Sequence, residues 1–196
     1  MKMRRTFMLF AILATTAVAF ADGATWDIDP ARSKIEFTIR HMVVSKATGS
    51  FHKFSGVVVG DPKEPAAALI DVTIDPASID TSNSDRDRDL RSPNFFDVEK
   101  YPTILFKSKR IDKAVDGVLT ITGELAMHGV TKEVILVVDQ FVGAGPGRMR
   151  VTAKSRLNRK DFGIVWNKTL DGGGLAVADE VNIRIAVELV KRELSS

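Results

Sequence analysis

The chain has 196 residues, no cysteine, and 28 Lys and Arg against 25 Asp and Glu. Without cysteine there is no disulfide framework, so packing alone must hold the fold. The apparent basic excess belongs to the first residues, and the remainder carries no net charge of the kind a nucleic-acid binder shows.

Residues 1–21 read as a secretory leader. Lys2, Arg4 and Arg5 precede an apolar run from Phe7 to Phe20, and Ala19-Phe20-Ala21 is a small-x-small cleavage pattern. The run is short for a membrane span, which needs about 20 residues. Removing the leader takes three bases and no acids, leaving 25 against 25. The remaining 22–196 is expected to be one soluble domain, long enough to bury a substantial core.

From there the dominant period is two. A first strand is expected over 24–29. In "SKIEFTIRH" Ile35, Phe37 and Ile39 share one face while Glu36, Thr38 and Arg40 share the other. A helical turn is expected near 42–47, then a strand over 51–59. "ALIDVTIDP" sets Ile70, Val72 and Ile74 against Asp71, Thr73 and Asp75. Strands follow at 103–110, 118–129, 131–142 and 148–157. "VNIRIAVELV" closes the series with Val181, Ile183, Ile185, Val187 and Leu189 in register. About nine one-faced strands divided by Gly, Pro and Asp turns indicate an antiparallel sandwich or barrel. A barrel of about eight strands can be filled by side chains or can hold one small ligand.

Between the strands, "DRDRDLRSPNFFDVEKYP" (85–102) concentrates charge. A short helix is expected over 84–91. Ser84 with Asp87, or Ser82 with Asp85, has capping-box spacing. Asp87 and Arg91 are spaced for an i,i+4 pair. Leu90 is the one large apolar side chain between 80 and 94. This helix is either a solvated surface turn, an anchor for a polar ligand head through Arg86 or Arg91, or one half of a carboxylate pair. Nothing else in the sequence supports the carboxylate pair. Of Phe95 and Phe96, one is expected to plug the core and one to touch ligand.

Other motifs point away from catalysis. His41, His52 and His128 lie too far apart in sequence for the usual metal-ligand spacing. "DGGGLAVADE" (171–180) lacks the Gly-Lys-Ser/Thr and following helix of a phosphate loop, and reads as a flexible hairpin. No G-x-S-x-G nucleophile motif occurs. In "NRKDFGIVWNK" (158–168) Phe162, Ile164 and Trp166 are spaced by two, beside Asp161 and Asn167. That stretch fits either core packing with a turn or a pocket wall with a polar rim.

Five segments taken in order resemble the YceI-like family of exported, polyisoprenoid-binding proteins. They are "WDIDPARSKIEFTIRH", "GSFHKFSG", "RDRDLRSPNFFDVEKYPTILF", "GELAMHGVTKEV" and "NRKDFGIVW". The resemblance covers essentially all of 22–196. One departure is Asp89, where many relatives carry His.

The resemblance implies an all-β, lipocalin-like, extended eight-stranded antiparallel barrel with one or two short helices and a long apolar tunnel. It implies a periplasmic carrier of an isoprenoid, quinone-like or fatty-acid-derived lipid. It implies no catalysis and no cofactor or metal, homodimers, and at most transient contact with a membrane or membrane protein. The expected tail contacts are Phe37, Ile39, Phe51, Phe54, Phe95, Phe96, Leu119, Ile121, Phe162, Trp166 and Ile183. The expected head-group contacts are Arg86, Asp87, Arg91, Asp161 and Asn167. A filled barrel with an interaction role, and a hydrolase acting through Asp161 or Asp87, are the alternatives.

Overall fold

A computed structural model describes residues 23–41, 45–113, 118–168 and 176–193. The expected leader, the Gly172–Gly174 stretch and the side chain of His41 lie outside the described residues. The strands are β1 (Thr25–Ile28), β2 (Lys34–His41), β3 (Ser45–Phe51), β4 (Phe54–Val59), β5 (Leu69–Ile74) and β6 (Ile79–Asp80). After the helix α1 (Ser84–Arg91) come β7 (Ile104–Lys113), β8 (Leu119–Met127), β9 (Val130–Gly145), β10 (Arg148–Asn158) and β11 (Val177–Lys191).

The ring runs β1-β4-β5-β7-β8-β9-β10-β11 and closes through β1 against β11, so eight antiparallel strands make a barrel. β2, β3 and β6 continue the sheet beyond β11. This is the lipocalin-like architecture expected, with more strands than the alternation marked out. The stretch 51–59 is two strands that break at His52-Lys53. The helical turn expected near 42–47 is corrected over its described part, since Ser45, Lys46 and Ala47 belong to β3. Cross-strand pairing with β2 overrides the weak local preference of "SKATGSF".

β11 shapes the whole molecule because it serves three neighbours. β10 pairs with it from Glu180 to Val190. On its other edge the first half pairs with β2, ending at Ala186 opposite Lys34. The last part pairs with β1, starting at Leu189 opposite Ile28. Residues 29–33 cross this fork as a 3₁₀ turn, with Asp29 capping Ala31 N–H. At the fork Asp29 N–H donates to the Glu188 carbonyl (2.9 Å), and Glu188 N–H donates to Ser33 Oγ (3.0 Å).

Val187 and Leu189 face inward, so Glu188 points outward. It is nonetheless only 4% exposed. Its carboxylate takes a hydrogen bond from Arg148, a contact from Arg150 at 3.5 Å, and the Arg32 guanidinium at 3.8 Å. The Arg148 hydrogen bond holds its carboxyl below the ordinary 4.5.

α1 occupies the expected span, but its bonds differ from those expected. The cap is Asn83, whose side chain accepts from Arg86 N–H, and not Ser82 or Ser84. Asp85 and Asp87 in the first turn and Arg88 and Arg91 in the last suit the helix dipole. The expected Asp87–Arg91 pair does not form. Asp87 Oδ1 accepts from Thr81 N–H (2.9 Å) and Thr81 Oγ1 (2.6 Å). Arg91 donates to the carbonyls of Ala77 (2.8 Å) and Ile79 (2.6 Å). Both side chains reach back to segment 77–81, where the 3₁₀ turn, the two-residue β6 and Thr81 after it offer backbone groups to be satisfied.

Two expectations follow. Asp87→Ala removes two charge-assisted bonds and leaves Thr81 N–H unpaired, so urea unfolding should show a loss of about 3 kcal/mol. Glu188→Gln should destabilise the barrel in a pH-dependent way. A depressed carboxyl stabilises the fold above its unfolded pKa and loses that contribution as pH falls through the folded value. The gap between wild type and Glu188→Gln should therefore be widest at neutral pH and shrink below about pH 4.5. A gap that stays constant down to pH 3 would remove the ionic lock.

Candidate functional site

Alternating strands put one side-chain row of each strand into the barrel. Along β11 this row is Val181, Ile183, Ile185, Val187 and Leu189, and all five line one cavity. Eight residue steps at about 3.3 Å make that wall about 26 Å long. The cavity holds about 590 Å³, within the usual range for ligand sites. Its middle is aliphatic and aromatic, and its charged or amide-bearing lining is confined to Asp61, Asn83, Arg86, Asp89 and Arg159.

At the lower end Trp26 and Leu189 meet Pro62 and Pro65 of the β4–β5 connection, and Trp26 Nε1–H donates to the Gly60 carbonyl (3.2 Å). At the upper end α1 and the segment after it close the gap left between β6 and the barrel. Leu90, Phe95 and Phe96 face the cavity there. Phe96 meets Phe51 edge-on at 5.8 Å, and Phe95 lies 5.2 Å from Trp166. Both phenylalanines therefore line the cavity and pack against the core, with no division of roles between them. Exposed Asn83, Asp89 and Trp166 are among the lining residues, so the cavity reaches the surface here.

Of the expected tail contacts, Phe37, Ile39, Phe51, Phe95, Phe96, Leu119, Ile121, Trp166 and Ile183 line the cavity. Phe54 and Phe162 do not. Phe54 packs between the two core clusters, and Phe162 is fully buried in the larger one. β10 stops at Asn158 and a 3₁₀ turn over Arg159–Phe162 follows, so of the three residues spaced by two Phe162 packs in the core while Ile164 and Trp166 line the cavity.

The polar expectation changes more. Arg86 lines the cavity, while Asp87, Arg91, Asp161 and Asn167 are not lining residues. Asp87 and Arg91 anchor α1 as described, and Asp161 is exposed. Asn167 ties its segment to β11, donating to the Val177 carbonyl (2.6 Å) and accepting from Val177 N–H (3.1 Å). Asn83 and Asp89 stand at the mouth in their place. They share a helix face with Arg86 and Leu90 by three- and four-residue spacing.

Arg159 has no distinguishing mark in the sequence. It is 5% exposed. Its guanidinium donates to the carbonyls of Ile164, Trp166 and Ala178 and lies 3.4 Å from Asp179. Burial lowers its pKa from the ordinary guanidinium value, and Asp179 opposes that shift. The side chain stitches the mouth segment 164–166 to the start of β11.

His52 pairs with Asp80 at 3.0 Å on the surface, and His128 Nδ1 lies 3.0 Å from the Phe162 carbonyl. Among the described residues no group of three or more potential ligands converges on a metal position.

Residues 26–189 match the YceI-like domain. Protein YceI of Salmonella newport is 35% identical over 192 residues, covering 95% of this chain and 96% of that protein. The crystal structure of Burkholderia cenocepacia BcnA superposes with a TM-score of 0.73 at 27% identity, over 82% of this chain and 98% of that one. A polyisoprenoid binding domain from Saccharophagus degradans, implicated in plant cell wall breakdown, superposes with a TM-score of 0.65 at 16% identity, over 87% and 99%. At that identity the last likeness bears on fold alone. With the family match spanning nearly the whole described barrel, the chain belongs to the YceI-like domain family.

Proposed function

We propose that this chain is an exported, non-catalytic binding protein that holds the tail of a long amphiphilic lipid, isoprenoid or fatty-acid-derived, inside the barrel. The observation that carries the reading is the cavity itself, apolar along the middle and charged only at its ends. The polyisoprenoid binding named for the Saccharophagus degradans domain supports it. A periplasmic location and a homodimer belong to the same proposal and rest on the leader and the resemblance.

The energetics suit a carrier. A tail offers no hydrogen bonds, so its capture is hydrophobic, at about 0.8 kcal/mol per buried CH₂. For about 40 carbons that sum would pass the affinity ceiling of about 20 kcal/mol. The free lipid, however, is already sheltered in a bilayer, and ordering it has an entropic cost. Transfer from bilayer to barrel is then close to balanced, and selectivity falls to the head group. That role is assigned to Arg86, which lines the cavity mouth. Its Nε and Nη2 donate to Thr81, and Nη1 has no partner among the described residues.

A filled barrel would have no use for this cavity. A hydrolase is disfavoured because Asp87 is taken by Thr81 and Asp161 lies outside the cavity.

Native mass spectrometry of protein purified without detergent should show a bound lipid of discrete mass. Phe37→Asp and Ile183→Asp put a charge on the wall and should lower retention at least tenfold. Ile183→Trp fills the same space without charge and should also exclude the longest tails. Folded variants that keep their lipid would show that these side chains do not meet it. Wild-type protein that neither carries lipid nor takes it from extracts would end the carrier reading.

A further inference from the structure

We propose that the upper rim of the barrel is a docking face for the surface of an anionic lipid bilayer, which sets the cavity mouth against the head groups. The proposal rests on the tail-binding reading for its purpose, but its evidence is separate.

Strand register collects the rim. Asn167 is bonded in both directions to Val177, Val177 lies opposite His41, and His41 lies opposite Ser45. Segment 164–168, the start of β11, the end of β2 and the start of β3 therefore share one end of the barrel. The cavity reaches that end through Trp166, Val177 and Ile39.

Two features of this rim do not serve the fold. The first is apolar exposure. Val165 is 62% and Trp166 38% exposed, side by side at the mouth. One side of Trp166 rests on Phe95, and the rest faces out. Exposed Trp beside an aliphatic residue suits the bilayer interface, where an indole finds both apolar and polar surroundings.

The second is charge. Arg40 and Lys46 sit directly opposite each other on β2 and β3, both exposed. Like charges so placed are unfavourable in a sheet. Neither has an ion-pair partner among the described residues, and nor does exposed Lys168 at the same end of the barrel. Along the flank, by contrast, Lys107 pairs with Asp71, Lys109 with Glu124, Lys154 with Asp139 and Arg156 with Glu180. At the rim Asp179 is already held by Lys160 and Arg159, so among the described residues the exposed carboxylates of Asp161 and of Asp89 at the mouth are left against the three bases and Arg86. An anionic surface supplies the missing counter-charge, and each base near it strengthens binding about fivefold.

The test is co-flotation of the full chain with phosphatidylcholine vesicles, with and without about one-third phosphatidylglycerol. Wild type should float with the anionic vesicles and much less with phosphatidylcholine alone. Arg40→Gln with Lys46→Gln should weaken binding about 25-fold. Val165→Asp should weaken it at least tenfold. None of these three positions lines the cavity. Urea midpoints should match wild type, and bound lipid seen by native mass spectrometry should persist. The leader is common to all variants, so any loss on substitution belongs to the rim. Should Val165→Asp unfold, the charge variant and its salt dependence decide alone. Equal flotation of wild type and both variants would overturn the proposal. So would wild type that carries lipid yet ignores anionic vesicles, an outcome that leaves tail binding standing and points to a protein receptor. Flotation that depends on the rim in a protein without bound lipid would uphold docking while tail binding fails.

Discussion

The structure depends on one strand having two partners on the same edge. β11 gives its first half to β2 and its last part to β1. Were it to pair with only one of them, the barrel would close short and the upper wall would not exist. A fork leaves backbone groups without ladder partners at the branch, and buried groups of that kind must be satisfied. Asp29 N–H and Ser33 Oγ meet the two backbone groups of Glu188. The Glu188 side chain then gathers Arg148 and Arg150 from β10 and Arg32 from the 3₁₀ turn at the branch. A carboxylate so enclosed contributes little unless its partners are held in place. Here they are, by the strands it joins.

Elongation alone would not keep the interior open, because eight strands can be filled by their own side chains. Two glycines make room. A Cβ on Gly49 would lie 2.5 Å from the Phe37 ring, and one on Gly123 would lie 2.5 Å from that of Phe106. Each ring lies down on the neighbouring strand where that strand has no side chain. The aromatics thus become part of the wall. The same residue types that would plug a smaller barrel line this one.

How much of this was legible follows the strength of the local signal. Alternation in "KIEFTIRH" and "VNIRIAVELV" reports one buried face, and those strands lie where the pattern puts them. "SKATGSF" has small and polar residues on both faces, so β3 is specified by its neighbours and not by itself. Ile79-Asp80 is too short to show a period at all. α1 was readable from its charge order and its single Leu. The cavity lining was largely readable because facing inward and lining the cavity are the same property in a hollow barrel. Phe54 and Phe162 show the limit, since both face inward where the barrel is solid.

The polar side chains were least legible, and the reason is what they bond to. Asp87, Arg91, Asn167 and Arg159 spend most of their hydrogen bonds on backbone groups at strand ends, in turns and in loops. No residue identity marks a backbone carbonyl as unpaired, so the sequence cannot name such a partner. Side-chain pairs invite the opposite error, as Asp87 and Arg91 do at ideal helical spacing. In an irregular lid over a barrel mouth, orphaned backbone groups outcompete an exposed ion pair, which contributes only about 0–1 kcal/mol. Charged residues near a mouth therefore divide by satisfaction and not by charge. Those whose donors and acceptors are used hold the lid in place. Those with capacity left over, such as Arg86 at Nη1 and Arg40 beside Lys46, are the ones positioned to meet something outside the chain.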